Sequence, residues 1–334
     1  MLTRSQAGRV LLGITLSAGL LYLVLRNISP AEILAHLRRT HWGWLGLSGA
    51  CNLAMLWARG FRWRLLFYPA SQAGWPLVSA TTIGFMANNL LPLRIGELVR
   101  GYLAARSGGG SFWTAMATLA VERVLDMLSI LLLLGGVVLV VPVPPWLQAG
   151  ALTLLALDLL AMGLLIFLAL ERGAAAGWTT RIPRFGETLR RWLTLFSIGL
   201  RSLRPGPHLV PLVGWTVLIW LLNAAAVWAA LRSAGLALPV SASLTVLAFA
   251  GIGVSIPSAP GFVGTLQFFI VQALAIFGVT GAEAVSVSLL YHAAGFIPIT
   301  LLGWALLITQ GVSLWEASRE ARAQATRPQG SGAR

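Results

Sequence analysis

The sequence predicts an all-α, polytopic integral membrane protein with about eight transmembrane helices and two Pro/Gly-broken segments of the re-entrant kind. Hydrophobic residues make up 57% of the 334 residues and charged residues only 10%, whereas soluble domains carry about 25% charged residues. The apolar runs are continuous and long enough for helical spans, rather than alternating as in a membrane β-barrel. The 24 basic residues are all Arg and flank these runs, which favours contact with anionic lipids and disfavours a nucleic-acid partner.

The N-terminal elements follow from apolar runs and their flanking residues. Residues 8–25 predict a first span rather than a signal peptide, because no small-residue cleavage site follows them. Residues 30–40 have apolar positions at helical spacing and predict a short interfacial helix. Trp42 opens a second predicted span, which ends near three basic residues: Arg59, Arg62 and Arg64.

Two apolar segments are interrupted by polar residues, Pro or Gly. Residues 77–106 predict two half-helices broken near residues 90–92. A second break, residues 256–264 with the sequence IPSAPGFVG, lies between apolar residues 244–256 and 268–277. Irregular backbone at membrane depth is tolerated only where it is buried in protein or lines a wet cavity. One break in each half of the chain predicts a transporter site made of discontinuous helices.

The remaining elements are long helices, an Arg-rich segment and a tail. Apolar runs predict further spans at residues 112–141, 146–170 (with Asp158), 209–231 and 285–310. Residues 171–204 are predicted to be an Arg-rich cytoplasmic surface segment. The chain therefore divides into a transmembrane domain, residues 1–314, and a polar tail, residues 315–334, predicted to be disordered. The basic loops place both termini in the cytoplasm of a bacterial inner membrane.

The densest charges lie between Asn88 and Asp126. Arg94, Glu97 and Arg100 are spaced to share one side of a helix. Guanidinium groups suit phosphate, so Arg94 or Arg100 could bind a lipid phosphate. An ordinary interfacial patch that anchors a helix end is an equally good interpretation.

The next helix carries a second charged group. Glu122 and Asp126 are four residues apart and face the same way, with Arg123 offset by one residue. The two acids could accept the preceding Arg residues, carry protons or bind a cation. They could equally form a structural ion pair that orients the helices.

Further candidate binding residues surround the breaks and the last span. The amides of Asn88 and Asn89 precede the first break and could satisfy its freed backbone groups or contact a headgroup. The candidates of the second half are Pro260, Gly261, Gly264, Gln267, Tyr291 and His292. Backbone amides at the start of a half-helix favour an anion, although a simple loop between spans is the alternative.

Enzyme signatures are missing from the sequence. There is no phosphate-binding loop, nucleophile elbow, zinc-protease motif or dinucleotide turn, and the single Cys51 excludes a multi-Cys metal site. We therefore expect neither an enzyme nor a bound cofactor or metal.

The motifs resemble those of a known family. The runs LLPLRIGELVRGYL, ATLAVERVLDML, PSAPGFVG and YHAAGFIPITLLGW look like the lysylphosphatidylglycerol synthase transmembrane region family, also called UPF0104. The resemblance implies a flippase-like membrane domain without the aminoacyl-transfer domain of the bifunctional members. Two residues depart from the family pattern, because Gln267 stands where many members have Glu and His292 where Arg is common.

The resulting hypothesis is a lipid flippase or transporter-like protein. Its expected partners are membrane lipids, either an anionic phospholipid or a polyprenyl-phosphate envelope precursor. The alternative is a non-transporting accessory subunit for an envelope glycosyltransferase. The sequence gives no oligomeric state.

Overall fold

The computed structural model describes residues 4–141 except 69, 71 and 109, isolated residues between 145 and 163, and residues 206–326 except 257 and 312. Most of the predicted span 146–170, with Asp158, and the whole predicted segment 171–204 lie outside these residues.

The described part is helical, as predicted. Its helices are α1 (Arg4–Leu25), α2 (Pro30–Arg38), α3 (Trp42–Leu65), α4 (Gly74–Leu90), α5 (Ile95–Arg106), α6 (Phe112–Val140), α7 (Leu209–Ser233), α8 (Val240–Ser255), α9 (Thr265–Ala275), α10 (Gly281–Thr309) and α11 (Leu314–Thr326).

Several of these helices are suited to cross a membrane. By length and composition, α6, α7 and α10 qualify, and the bent pair Val10–Leu25 and Pro30–Arg38, at 80° to each other, is a fourth candidate within the described residues. The other apolar helices are shorter or carry more charge. The protein is therefore an all-α, multi-pass membrane protein.

The first predicted break is confirmed as the tip of a helical hairpin. Helices α4 and α5 pack side by side, joined by a single 3-10 turn at Pro92–Arg94. The side chain of Gln72, just before α4, donates to the carbonyl of Gly108, just after α5, at 3.3 Å. Both ends of the hairpin therefore lie on the same side, which is the arrangement of a re-entrant segment.

The second predicted break has the same form. Helices α8 and α9 pack against each other around a 3-10 turn at Pro260–Phe262. A Cβ on Gly253, near the end of α8, would lie 3.1 Å from the carbonyl oxygen of Thr265 at the start of α9. The two arms thus approach each other closely next to the tip.

The two tips share an unusual backbone. Each turn begins with Pro, followed by two residues in the left-handed region: Leu93 and Arg94 at φ 63° and 53°, and Gly261 and Phe262 at φ 68° and 60°. Such φ values are uncommon for residues other than Gly. The shared conformation indicates that the two hairpins are copies of one structural motif.

The helices around each hairpin complete an internal repeat. Helices α3 to α6 contain 24, 17, 12 and 29 residues, and helices α7 to α10 contain 25, 16, 11 and 29. In the sequence, the hydropathy and the one Pro/Gly break in each half are the only indications of this repeat.

The two copies have opposite orientations. Helices α3 and α7 run antiparallel, because the amide of His41 donates to the carbonyl of Ser233 at 2.8 Å while the rings of Phe61 and Trp215 stack 5.5 Å apart. The hairpins that follow these helices therefore enter from opposite ends of the bundle. Their tips meet in its middle, where a Cβ on Gly261 would lie 3.2 Å from the carbonyl oxygen of Asn89.

Helix α1 lies outside the repeat and packs on the second hairpin. The hydroxyl of Ser17 accepts a hydrogen bond from the amide of Ala259 at 2.8 Å. Two glycines allow this approach: a Cβ on Gly13 would lie 3.0 Å from the carbonyl oxygen of Ser258, and one on Gly264 would lie 2.2 Å from that of Ser17. Helix α1 is thereby fixed beside the second tip.

The tail, residues 315–334, was predicted to be disordered, but the structure has helix α11 at Leu314–Thr326. Residues 327–334 lie outside the described residues. The helix begins with reciprocal hydrogen bonds, in which the amide of Glu316 donates to the Ser313 hydroxyl and the amide of Ser313 donates to the Glu316 carboxylate. This is a capping box, a signal present in the sequence. Ala317 and Ala321 are fully buried, and the helix packs along α5.

Loss of this cap should loosen the tail helix without unfolding the protein. Replacing Ser313 by Ala removes the acceptor for the Glu316 amide and is expected to cost about 1 kcal/mol. Amide hydrogen exchange of residues 314–326 should therefore become faster while that of α6 stays the same. Unchanged exchange in α11 would show that packing on α5 alone holds it.

Candidate functional site

A buried ionic network connects three helices of the first half. Asp126 on α6 accepts hydrogen bonds from Arg59 and Arg62 on α3, the latter at 2.8 Å. Glu122, one turn earlier on α6, accepts two bonds of 3.0 Å from Arg100 on α5. Arg62, Arg100 and Glu122 are completely buried. The network therefore fixes α3, α5 and α6 relative to one another.

The outer end of the network is accessible. Glu97 on α5 accepts a 2.7 Å hydrogen bond from Arg123 on α6, and these side chains are 21% and 41% exposed. Arg94 lies close enough to both to interact electrostatically. An incoming charged group could therefore reach Glu97, Arg123 and Arg94, whereas it could not reach Arg100 without opening the network.

The network contains more cationic than anionic groups. Its ion pairs join four Arg residues to three carboxylates, which leaves one net positive charge, and Arg94 beside it adds a second. Buried charges need partners, because desolvation costs several kcal/mol per ion, roughly. Within the described residues, Nε of Arg62 and Nε of Arg100 find no hydrogen-bond acceptor. The excess of donors makes this half of the protein favourable for an anion.

Two members of this network were not among the sequence-based candidates. Arg59 and Arg62 were interpreted only as the basic end of the second span, but α3 continues past them to Leu65 and buries both. Their spacing of three residues, between Trp57 and Trp63 in an apolar segment, was the available signal, because it places both on one helix face.

The two Asn residues of the first hairpin bind backbone and side-chain groups of the protein. Asn88 accepts a hydrogen bond from the amide of Gly96 at 2.9 Å, across the break. Asn89 donates to the hydroxyl of Thr300 on α10 at 2.9 Å. Asn88 therefore satisfies a backbone amide at the start of α5, which is the structural role considered for it in the sequence. Asn89 connects the tip of the first hairpin to helix α10 of the second half.

The second half repeats the outer ion pair with neutral groups. Glu97 and Gln267 are each the third residue of the second hairpin arm, and Arg123 and His292 are each the twelfth residue of the following long helix. Gln267 Nε2 and His292 Nδ1 lie 2.8 Å apart. Gln267 and His292, the two residues that the sequence analysis singled out as departures from the motif, are therefore hydrogen-bond partners.

The remaining interactions of this pair stabilise the second tip. Gln267 accepts a hydrogen bond from the amide of Gly264 at 2.7 Å, and His292 hydrogen-bonds to the backbone of Gly261. Tyr291, next to His292, is half-buried and packs on the apolar core of the second half. Among the described residues, no group of three or more His, Cys, Asp or Glu side chains is placed to hold a metal ion.

A cavity of about 340 Å³ lies where the two tips and α1 meet. Arg94 projects there, donates to the carbonyl of Val254 and places its guanidinium 5.7 Å from the centre of the Phe262 ring. The cavity is lined by Val10, Leu12, Ile14, Asn88, Leu91, Pro92, Leu93, Arg94, Ser255, Ser258, Ala259, Pro260 and Phe262. The structure therefore brings Arg94, Asn88 and Pro260 to one cavity, while Arg100, Glu122 and Asp126 stay in the buried network.

Inverted helical hairpins with a cavity between their tips define a multi-pass membrane protein built on an inverted structural repeat. Residues 10–303 match the family described as "Lysylphosphatidylglycerol synthase TM region", and the chain belongs to this family. This family is a membrane domain linked to lipid handling.

One curated relative is similar over most of its length. It is a "UPF0104 membrane protein" from Methanothermobacter thermautotrophicus, 23% identical over 253 residues, which cover 70% of this chain and 75% of the relative. No solved structure matches the chain.

Proposed function

We propose that this protein is a lipid flippase or transporter-like protein of a bacterial cytoplasmic membrane, with both termini in the cytoplasm and without enzymatic activity. It binds the anionic headgroup of a phospholipid or a polyprenyl-phosphate lipid in the cavity between the hairpin tips. The observation that carries this proposal is Arg94, an exposed cation at the meeting point of two inverted hairpins.

The backbone of Arg94 supports a functional role. Both Leu93 and Arg94 adopt left-handed φ values, which cost of order 1–3 kcal/mol each in residues other than Gly. This conformation directs the guanidinium into the cavity, where its planar donors suit a phosphate group. Gly at both positions would give the same turn without the strain, but it would supply no cation.

The buried network has a supporting role in this proposal. Both Nη atoms of Arg100 donate to Glu122 and Nη2 also donates to Thr81, so in this proposal Arg100 holds α5 in place and Arg94 binds the phosphate. The outer pair Glu97–Arg123 is the part that an anion can disturb. A phosphate at Arg94 would compete with Glu97 for Arg123, which couples headgroup binding to the contact between α5 and α6.

The inverted repeat supplies the means of translocation. Hairpins that enter from opposite sides can expose the shared cavity first to one side and then to the other, as transporters with inverted repeats do. Helix α1 brings apolar side chains to the cavity, so the lipid tails can stay in the bilayer while the headgroup crosses.

Replacement of Arg94 should remove headgroup binding. Charge-assisted hydrogen bonds contribute about 1.5–3 kcal/mol, so Arg94→Ala should slow translocation of a fluorescent anionic lipid in proteoliposomes by about tenfold to a hundredfold. Arg94→Lys keeps the charge without the bidentate geometry and should retain part of the rate.

Arg64→Ala is the matched control, because Arg64 is an exposed Arg at the end of α3, away from the cavity. Its rate should equal that of the wild type. Equal rates for Arg94→Ala and wild type would overturn this mechanism. Absence of translocation by the wild type, together with co-purification of an envelope glycosyltransferase, would instead favour the accessory-subunit hypothesis.

A further inference from the structure

Among the residues that the structure describes, the polar lining of the cavity contains one cation and no carboxylate. Among the described residues that line it, the polar side chains belong to Asn88, Arg94, Ser255 and Ser258. A binding site selects its ligand by charge complementarity, so this composition restricts the headgroups that the cavity can accept.

From this composition we infer that the cavity takes a lipid headgroup with a single phosphate and hydroxyl groups, such as a phosphoglycerol or a phosphate with one sugar, and rejects a headgroup that carries an ammonium group. This inference rests on the proposed function, that the cavity binds a lipid headgroup. It concerns the chemical class of the substrate.

The charges near the cavity oppose an ammonium group. The nearest carboxylate of the network, Glu97, is already bound to Arg123 at 2.7 Å and lies 3.5 Å from Arg100. An ammonium group would have to displace a guanidinium and would then face Arg94 and Arg123 at close range. The face of an aromatic ring is the other common partner of an ammonium group, but the guanidinium of Arg94 already lies over Phe262.

The neutral polar groups suit hydroxyl groups. The hydroxyl of Ser255 donates to the carbonyl of Gly251 at 2.8 Å, which leaves its lone pairs free to accept from a ligand O–H. The hydroxyl of Ser258, three residues further along and just before the Pro260–Phe262 turn, can donate or accept. Glycerol and sugar headgroups supply matching hydroxyls.

The volume of the cavity suits a small headgroup. At about 30 Å³ for each water molecule, a space of 340 Å³ corresponds to about eleven waters. A phosphate with a glycerol or one sugar ring is of this size. On the α1 side, Leu12 and Ile14 line the cavity and are exposed, which leaves an apolar wall for the acyl chains.

The test is a competition between lipids for the full-length protein. The chain is placed in phosphatidylcholine nanodiscs that contain phosphatidylglycerol, phosphatidylethanolamine and lysylphosphatidylglycerol at equal mole fractions, and the retained lipid is measured by native mass spectrometry. Phosphatidylglycerol should exceed lysylphosphatidylglycerol by about tenfold, because juxtaposed like charges are unfavourable. Arg94→Ala should abolish the preference, and Arg64→Ala should leave it unchanged.

A carboxylate introduced into the cavity tests whether the cavity itself selects the lipid or whether lipids only adsorb to the positively charged surface of the protein. Ser258→Asp places a carboxylate in the lining and should raise the share of lysylphosphatidylglycerol by about tenfold. Ser255→Asp places a carboxylate in the same lining at the end of helix α8, and it serves as the test if Ser258→Asp does not fold.

The outcomes distinguish this inference from the proposed function. If the wild type retains lysylphosphatidylglycerol as well as phosphatidylglycerol, and retention depends on Arg94, the headgroup assignment is wrong while the lipid site stands. If no lipid is retained in an Arg94-dependent way, the proposed function and the headgroup assignment both fail.

Discussion

Replacing Glu122 by Leu is expected to destabilise the protein by about 3–5 kcal/mol, because the change leaves a buried cation without its partner. Arg100 is fully buried and directs both Nη atoms to the Glu122 carboxylate at 3.0 Å. Arg59 and Arg62 also approach that carboxylate, at 3.7 and 3.9 Å. The expected result is a large loss of folded protein in detergent and a lower midpoint of thermal unfolding.

The double variant Arg100→Met/Glu122→Leu tests the physical reason. A buried ion pair can often be replaced by apolar residues of similar volume without a loss of stability. The double variant should therefore recover most of the stability that Glu122→Leu loses. Equal instability of the single and double variants would show that the cost comes from the shape of the Glu122 side chain or from its other Arg neighbours.

The double variant also separates structure from transport. If the double variant folds and still translocates lipid in an Arg94-dependent way, the buried Arg100–Glu122 pair only holds the helices together. If it folds and is inactive, Glu122 or Arg100 takes part in the transport cycle. The sequence left these two interpretations open, and the buried bidentate geometry favours the first.

Replacing Gly96 by Ala is expected to separate the two arms of the first hairpin. A Cβ on Gly96 would lie 1.9 Å from the carbonyl oxygen of Gly84, and one on Gly84 would lie 2.1 Å from Cγ of Arg100. Real Cβ atoms do not approach other atoms so closely, and a backbone oxygen cannot rotate away as a side chain can. The arms must therefore move apart, which disturbs the Asn88 contact at the tip and the Arg100–Glu122 pair.

We expect a loss of several kcal/mol, of the order seen for severe overpacking in a core, measured by thermal unfolding in detergent. Gly46→Ala in α3 is the matched control, because nothing lies within 4 Å of the added Cβ and Ala is the better helix former by up to about 1 kcal/mol. Equal unfolding midpoints for the two variants would contradict the close packing of α4 on α5.

The positions of the helices and breaks could be predicted from the sequence because they depend on local chemistry. Pro92 and Pro260 end helices by removing a donor and blocking the preceding turn, and the long helices follow from uninterrupted apolar runs. The structure confirms the breaks near residues 90–92 and 256–264. Helix α11 does not follow from the polar composition of the tail, because its start depends on the capping box formed by Ser313 and Glu316.

The inverted repeat could not be predicted because it depends on packing between distant segments. The two halves share helix lengths and tip conformation with little sequence in common, so Glu97–Arg123 and Gln267–His292 became recognisable as equivalent pairs only in three dimensions. The partners of Asp126 were missed for the same reason, since Arg59 and Arg62 are more than 60 residues away along the chain.

The cavity has a consequence for assembly. Its walls come from residues 10–14, 88–94 and 255–262, three segments that are distant in sequence and meet only when α1 and both hairpins have docked. A molecule that binds there stabilises the docked arrangement by RT ln(1 + [L]/Kd) and has no site on a chain whose halves are apart. A bound lipid would thus hold the two halves together. The apparent stability of the purified protein would then depend on the lipid retained from the membrane.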